Sequence, residues 1–353
     1  MLRRTAQRPV SKHARKARES RVSAHQPEAF SPLGPRLPEP IVGRLAVVGI
    51  GLIGSSIIHA CRARGVAREI VAIDRDPAVL ARCEDLDLGD VRRADPAGVA
   101  GCDLVILCIP VGAFAEVAAA MAAHLKPGAI VSDVGSVKRS VIAQTAPHLP
   151  EGVHLVPAHP VAGTEYSGPD AGFATLFQRR WCILTPAEGT DVMAITLVDR
   201  FWHALGADVE IMNAEHHDRV LAITSHVPHL IAYNIVGTAA DLETVTEQEV
   251  IKFSAGGFRD FTRIAASDPT MWRDVFLHNR EAVLEMLGRL NEDVAILARA
   301  IRWGDGDTLF DLFTRTRAIR RGIISQGQET DAPDFGRRQA EGPGPAASAR
   351  SGE

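Results

Sequence analysis

At 353 residues, with 46% hydrophobic and 23% charged side chains, the chain has the composition of an ordinary globular protein and is long enough for two domains, each with its own core. No apolar run approaches the ~20 residues that span a bilayer, and no apolar signal region follows the N-terminus, so neither a membrane role nor secretion is expected. The net charge of −4 is uneven: residues 1–40 hold nine Lys/Arg against three Glu, a balance of +6 that leaves −10 for the rest.

That basic leader, taken as residues 1–42, has six prolines and no periodic apolar residues. It is read as a disordered, solvated tail rather than a transit peptide or a nucleic-acid-binding arm. Residues 325–353, rich in Gly, Pro and Ser, are expected to be disordered as well. The five cysteines are odd in number and lack CxxC spacing, as suits reduced thiols of a cytoplasmic protein. They form no Cys/His cluster, so no metal site is expected.

From residue 44 the chain alternates short β-branched runs (Leu45–Ile50, Ile70–Asp74, Leu104–Pro110 and Ala129–Asp133) with helical patterns. The alternation predicts an α/β, Rossmann-like, doubly wound parallel sheet over residues 43–212. Its first strand runs into Gly49-x-Gly51-x-x-Gly54 and then into a helix. Gly49 permits the tight turn, Gly51 removes a side chain that would block a pyrophosphate, and Gly54 lets the helix pack close to the strand. The backbone N–H groups of Leu52 and Ile53 then face the phosphates with the positive end of the helix dipole. The second strand ends in Asp74, 20 residues past Gly54, where a carboxylate binds both ribose hydroxyls of NAD and repels the 2′-phosphate of NADP. Arg75 follows and can pair with that phosphate, so NAD is expected and NADP stays possible. Ligands sit at the carboxyl ends of such strands, which puts Pro110 and the segment Asp133-Val-Gly-Ser136-Val-Lys138 beside the nicotinamide. Ser136 is expected to cap the helix that follows.

A strand-like Val153–Val156 leads to Pro157-Ala-His159-Pro160, read as a loop whose histidine is the proton acceptor of a dehydrogenase, titrating near neutral pH. Trp181–Thr185 and Ala207–Ile211 are expected as strands, with Val192–Leu205 as a helix between them. After Asn213 only helical patterns remain, so residues 213–324 are read as an all-α domain that dimerises. Ala214–Ala240 should kink at Pro228, and Ser267–Arg302 reads as one long helical pattern. His226 and His229 lie three apart on one helical face and lack a third metal ligand nearby. Arg259 or Arg263 could clamp an acidic substrate.

Taken together, GIGLIGSS, DVGSVK, HPVAGTEYSG, HDRVLAITSHVPH and GGFRDFTRIAASDPTMWRD make the chain resemble the prephenate/arogenate dehydrogenase family over about residues 44–320. Its broad-specificity members are called cyclohexadienyl dehydrogenases. The resemblance implies NAD(P)-dependent oxidative decarboxylation of prephenate or arogenate in tyrosine biosynthesis. It further implies that His159 takes the ring-hydroxyl proton, with Ser136 orienting the histidine and the nicotinamide. Arg263 would bind the ring carboxylate and His229 would line the pocket. Thr164, Gly256 and Trp272 would complete it, the last two from the partner subunit of a homodimer. The residues after 325 are too few for a regulatory domain. Two other readings stay open: a 3-hydroxy acid dehydrogenase of similar architecture and a non-catalytic dinucleotide sensor. The first generally uses a lysine on the first long helix of its second domain, and Ala214–Ala240 has none. The second would need neither His159 nor Arg263.

Overall fold

A computed structural model describes residues 33–246 and 256–325. Most of the expected leader and tail therefore lie outside the described residues. Of the leader, residues 33–41 lie against the first helix: Leu33 is buried, and the Leu37 amide donates to the Arg64 carbonyl at 2.7 Å.

Six parallel strands form the main sheet: β1 (Val42–Val48), β2 (Ala67–Ile73), β3 (Val91–Arg93), β4 (Leu104–Leu107), β5 (Ile130–Asp133) and β6 (His154–Leu155). Their order, β3-β2-β1-β4-β5-β6, is that of a doubly wound sheet whose winding reverses between β1 and β4. β1 pairs β2 from Val42↔Ala67 to Val48↔Ile73, and β4 from Leu45↔Leu104 to Val48↔Leu107. All four β4 residues are buried, as a strand covered on both faces requires. Helices α1 (Leu52–Arg64), α2 (Pro77–Asp85), α3 (Phe114–Met121) and α4 (Lys138–Thr145) connect the strands, and each face of the sheet carries its own apolar core.

A second sheet of three strands, β7 (Ala158–Pro160), β8 (Trp181–Leu184) and β9 (Asp208–Ile211), follows in the order β7-β8-β9. β7 is antiparallel to β8, with His159 opposite Ile183. The histidine expected in a loop thus stands in a strand. Pro157 and Pro160 flank it without breaking the ladder, because the Pro157 carbonyl still accepts from Thr185 at 2.9 Å. Helix α5 (Val192–Ala204) is capped by Asp191 and packs Phe201 and Trp202 into the core.

The rest is helical: α6 (Ala214–Leu221), a π turn at Ala222–His226, α7 (Val227–Thr246), α8 (Gly256–Thr262), α9 (Pro269–His278), α10 (Arg280–Trp303) and α11 (Gly306–Ser325). The kink expected at Pro228 takes the form of that π turn, since proline has no N–H for the preceding turn and crowds its carbonyl. The pattern read as one helix over Ser267–Arg302 is broken at Asn279, whose backbone leaves the helical region (φ −111°, ψ 31°). The break turns its amide inward, where it donates to the Asp218 carbonyl at 2.8 Å. Against the expectation of no such run, the 28-residue stretch Ala214–Asp241 is by length and composition alone apolar enough to cross a membrane, with a mean hydropathy of 1.3 over its most apolar 18 residues. It also carries His217, Asp218, His226 and His229, which the site below uses.

Candidate active site

The glycine turn sits where the sheet's winding reverses. Gly49 has φ +91° and its amide donates to Ile73 at 2.7 Å. A Cβ on Gly49 would collide with the Cys108 carbonyl at the end of β4, and one on Gly54 with the Gly49 carbonyl. Both collisions are with backbone, so neither position tolerates a side chain. Gly51 differs: nothing lies within 4 Å of where its Cβ would stand. It starts α1 with no side-chain cap, so the amides of the first turn, Leu52 and Ile53 included, have no side-chain acceptor. An open cradle at an uncapped helix N-terminus fits a pyrophosphate. Asp74 accepts from the Ile50 amide at 2.8 Å and from the Asp76 amide at 3.0 Å, so its carboxylate is held at the rim of the turn. Arg75 beside it is exposed, and Pro110 is exposed beyond the end of β4.

At the same carboxyl end of the sheet, two strands along at β5, lies a buried polar cluster. Asp133, at the end of β5, pairs with Lys138, and neither is more than 1% exposed. Asp133 also accepts from the amides of Gly135 at 2.7 Å and Ala158 at 3.2 Å, while the Lys138 ammonium donates to the Ala158 carbonyl at 2.6 Å. Two opposite charges therefore hold both backbone groups of the residue just before His159. Burial pushes each toward its neutral form, and each opposes that push in the other.

His159 is 7% exposed, and its Nδ1 lies 2.8 Å from His217 Nε2. His217 Nδ1 in turn lies 2.8 Å from Asp218 Oδ1. The Asp218 carboxylate accepts from the amides of Lys138 at 2.8 Å and Arg139 at 3.0 Å, so it caps α4. Ser136 was the expected cap, but α4 takes Val137 at its N-cap position without a side-chain bond. The carboxylate wins because it satisfies two orphan amides at the positive end of the helix, where a hydroxyl would satisfy one. Ser136 is left half-buried between Asp133 and Lys138, with its backbone against His226.

Burial, then the neighbouring His217, Lys138 and His226, holds His159 well below the ordinary histidine range. A base titrating near neutrality was expected; the structure gives one that stays neutral to considerably lower pH. Burial likewise holds His217 down, opposed by Asp218, and lowers His226 to about 4.

The helical region supplies the facing wall. The His229 ring stacks on Trp272 with centroids 3.6 Å apart and planes at 24°, and His226 meets the same indole edge-on at 6.1 Å. The two histidines read as sharing a helical face thus share one aromatic partner. Trp272 is buried within its own chain against Val137 and Val275, although the resemblance drew it from the partner. Arg263 reaches Glu165 at 3.6 Å, with its side chain 47% exposed, and its charge helps to keep His229 neutral. Thr164, near Glu165, is exposed and accepts from the Tyr166 amide at 3.3 Å. Gly256 and Arg259 are exposed on α8, the glycine with nothing within 4 Å of a Cβ. Among the described residues, no group of three His, Cys, Asp or Glu could hold a metal ion.

Asp133, Lys138, Glu165, His217, Asp218 and Asn279 were not singled out as site residues from sequence. Asp133 and Lys138 stand in the DVGSVK segment, Glu165 in HPVAGTEYSG, and His217-Asp218 open HDRVLAITSHVPH, so of these only Asn279 lies outside the quoted segments. Residues 57–211 match the family described as prephenate dehydrogenase, nucleotide-binding domain, and residues 213–315 match its dimerization domain. The chain belongs to the prephenate dehydrogenase family. Within it, the Zymomonas mobilis cyclohexadienyl dehydrogenase is 44% identical over 78% of this chain and 94% of its own length. The Bacillus subtilis prephenate dehydrogenase is 33% identical over 79% of this chain and 76% of its own. A crystal structure of prephenate dehydrogenase from Aquifex aeolicus with hydroxyphenyl propionate and NAD+ superposes with a TM-score of 0.75 at 34% identity, covering 80% of this chain and 98% of that one.

Proposed function

We propose that this prephenate dehydrogenase family member oxidises and decarboxylates prephenate or arogenate with NAD in tyrosine biosynthesis, with His159 as the base. The observation that carries the reading is a buried, neutral histidine on β7 with a cationic arginine on the facing wall, beside an open pyrophosphate cradle. In this reading, NAD is held by Gly49, Gly51, Gly54 and the amides of Leu52 and Ile53, with Asp74 and Arg75 at the ribose and Pro110 and Ser136 toward the nicotinamide. When bound, NAD supplies the hydride acceptor.

Arg263 exchanges Glu165 for the ring carboxylate, which it orients without burying it, so the ground state is not overstabilised before carbon dioxide leaves. As hydride departs, the ring oxygen gains positive character and its proton becomes acidic. A base of low pKa then suffices, and neutral His159 accepts that proton. His229 on Trp272 forms the apolar wall, with Thr164 and Gly256 at the rim of the pocket. Both substrates share the ring chemistry; the pyruvyl or alanyl side chain lies outside the contacts that carry it.

The exposed apolar side chains of α10 and α11, among them Val294, Ile301, Trp303, Phe310 and Phe313, suit a homodimer interface. The domain limits proposed are 43–212 for the dinucleotide-binding part and 213–324 for the substrate and dimerisation part, in a cytoplasmic enzyme with no nucleic-acid or membrane partner. Absorbance at the nicotinamide band, followed with prephenate and with arogenate, tests the reading. Reduction of NAD with at least one of them is expected, and silence with both would sink it.

A further inference from the structure

Behind His159 lies a buried row of groups that the reaction as described does not use. Asp218 receives two amide protons from the start of α4 and one more hydrogen bond from His217 Nδ1 at 2.8 Å. A carboxylate so placed is an acceptor only, so the His217 nitrogen facing it must carry the hydrogen. His217 Nε2 then holds a lone pair. It faces His159 Nδ1 at 2.8 Å, so that nitrogen must donate, and the lone pair of neutral His159 falls on Nε2.

We propose that His217, oriented by Asp218, is a positioning residue that fixes His159 in the one neutral tautomer whose Nε2 can accept the substrate proton. His217 is fully buried and Asp218 is 2% exposed, so no water competes for these bonds. The arrangement is rigid at both ends. Asp218 is tied to α4 by its carboxylate and to Asn279 by its carbonyl, while Ala158 is tied to the Asp133–Lys138 pair. The break at Asn279 thus has a use: an unbroken helix there would not present the amide to Asp218. The groups facing His159 are Lys138 from α4, His217 from α6, His226 from the π turn and Cys182 from β8. Of these, Lys138 opposes a second proton on His159 while keeping its own hydrogen bonds to Asp133 and Ala158. His217 is left as the group that decides which nitrogen carries the first. Without that acceptor, neutral imidazole distributes its proton between both nitrogens, and a base oriented wrongly loses orders of magnitude in turnover.

The inference rests on His159 being the base, and the experiment separates the two. In the full-length enzyme, His217→Leu removes the acceptor, while His217→Gln puts a carboxamide oxygen near the place of Nε2. We expect the leucine variant to lose about 10²-fold in kcat with the KM for substrate and the Kd for NAD within about twofold, and the glutamine variant to recover most of the loss. Nitrogen-15 NMR of His159 in the wild-type enzyme, which does not depend on either variant folding, should show the proton on Nδ1. A leucine variant with wild-type kcat, a glutamine variant as impaired as leucine, or a His159 protonated on Nε2 would each overturn the proposal. Wild-type enzyme inert toward both substrates would instead remove the reading beneath it.

Discussion

The nucleotide turn and the histidine cluster solve placement in opposite ways. At the turn, one contiguous segment does nearly everything: Gly49, Gly51 and Gly54 shape the backbone within six residues, and the anion site is made of main-chain amides that any sequence supplies. Only Asp74 comes from elsewhere, one strand away. In the cluster, the roles are spread over four elements. Asp133 ends β5, Lys138 opens α4, His159 sits on β7 and His217-Asp218 lie on α6, some 80 residues from the amides that Asp218 caps. A backbone site needs the absence of side chains, which is local. A proton-handling site in a dry interior needs each polar atom matched by another, and such matches come from distant parts of the chain.

The strongest way to break this contrast is at the centre of the cluster. His159→Asn keeps a hydrogen-bonding side chain but no basic nitrogen. It should cost roughly 10²–10⁴-fold in turnover while leaving NAD affinity unchanged, because the turn does not depend on it. Since the folded enzyme holds His159 well below 6.5, kcat/KM of the wild type should stay level down to that pH and fall only below it, as imidazole gains its proton. The variant should lose that acidic limb. Near-normal turnover with the limb intact would move the base to another residue.

Next in size is the buried ion pair. Lys138→Met leaves Asp133 without its counter-charge at 1% exposure, and breaking one side of such a pair costs about 3–5 kcal/mol. Adding Asp133→Asn removes the stranded charge and keeps one oxygen for one of the two amides, Gly135 or Ala158, which donate to different carboxylate oxygens, so the double variant should regain part of the loss. Urea unfolding of the three proteins measures this. A single variant as stable as wild type would mean that the pair does not hold the strand before His159.

These same residues mark where sequence stopped being legible. The sheet and the glycine turn could be read because parallel strands are continuously apolar and the turn is contiguous. His159 was found but placed in a loop, because the three residues of β7 are too short for a period-two pattern. A buried lysine cannot be told from a surface one by its neighbours in sequence. Ser136 was the natural cap by local rules, and a carboxylate from α6 displaced it. The apolar pattern over Ser267–Arg302 continues across Asn279, so nothing local announces a break that serves a hydrogen bond.

Arg263 sharpens the contrast from the substrate side. Its side chain is half exposed and its contact with Glu165 is 3.6 Å, so it is a weaker clamp than a desolvated, bidentate one. Arg263→Ala should raise the KM for substrate roughly 10- to 100-fold, about 1.4–2.7 kcal/mol, and leave NAD binding unchanged. Arg259→Ala, one helical turn earlier, should stay within about twofold. If the Arg259 variant proves the worse of the two, the carboxylate is bound by the other arginine.

The smallest effect is expected at the turn itself, because backbone amides carry most of the binding there and no single side chain is indispensable. Asp74 has one task in the structure and a second in the proposed function. It accepts from the Ile50 and Asp76 amides, which holds the rim of the turn, and in the proposed reading its charge would repel a 2′-phosphate. Serine retains an acceptor for one amide and removes the charge, while the exposed Arg75 next to it becomes free to pair with a phosphate. Asp74→Ser should therefore shift the ratio of NAD to NADP affinities toward NADP by about tenfold, near 1.4 kcal/mol, with kcat on NAD little changed. Titration of both cofactors by intrinsic fluorescence measures the ratio. A ratio left where it was would mean that the carboxylate serves only the turn, and that cofactor choice is made by a residue other than Asp74.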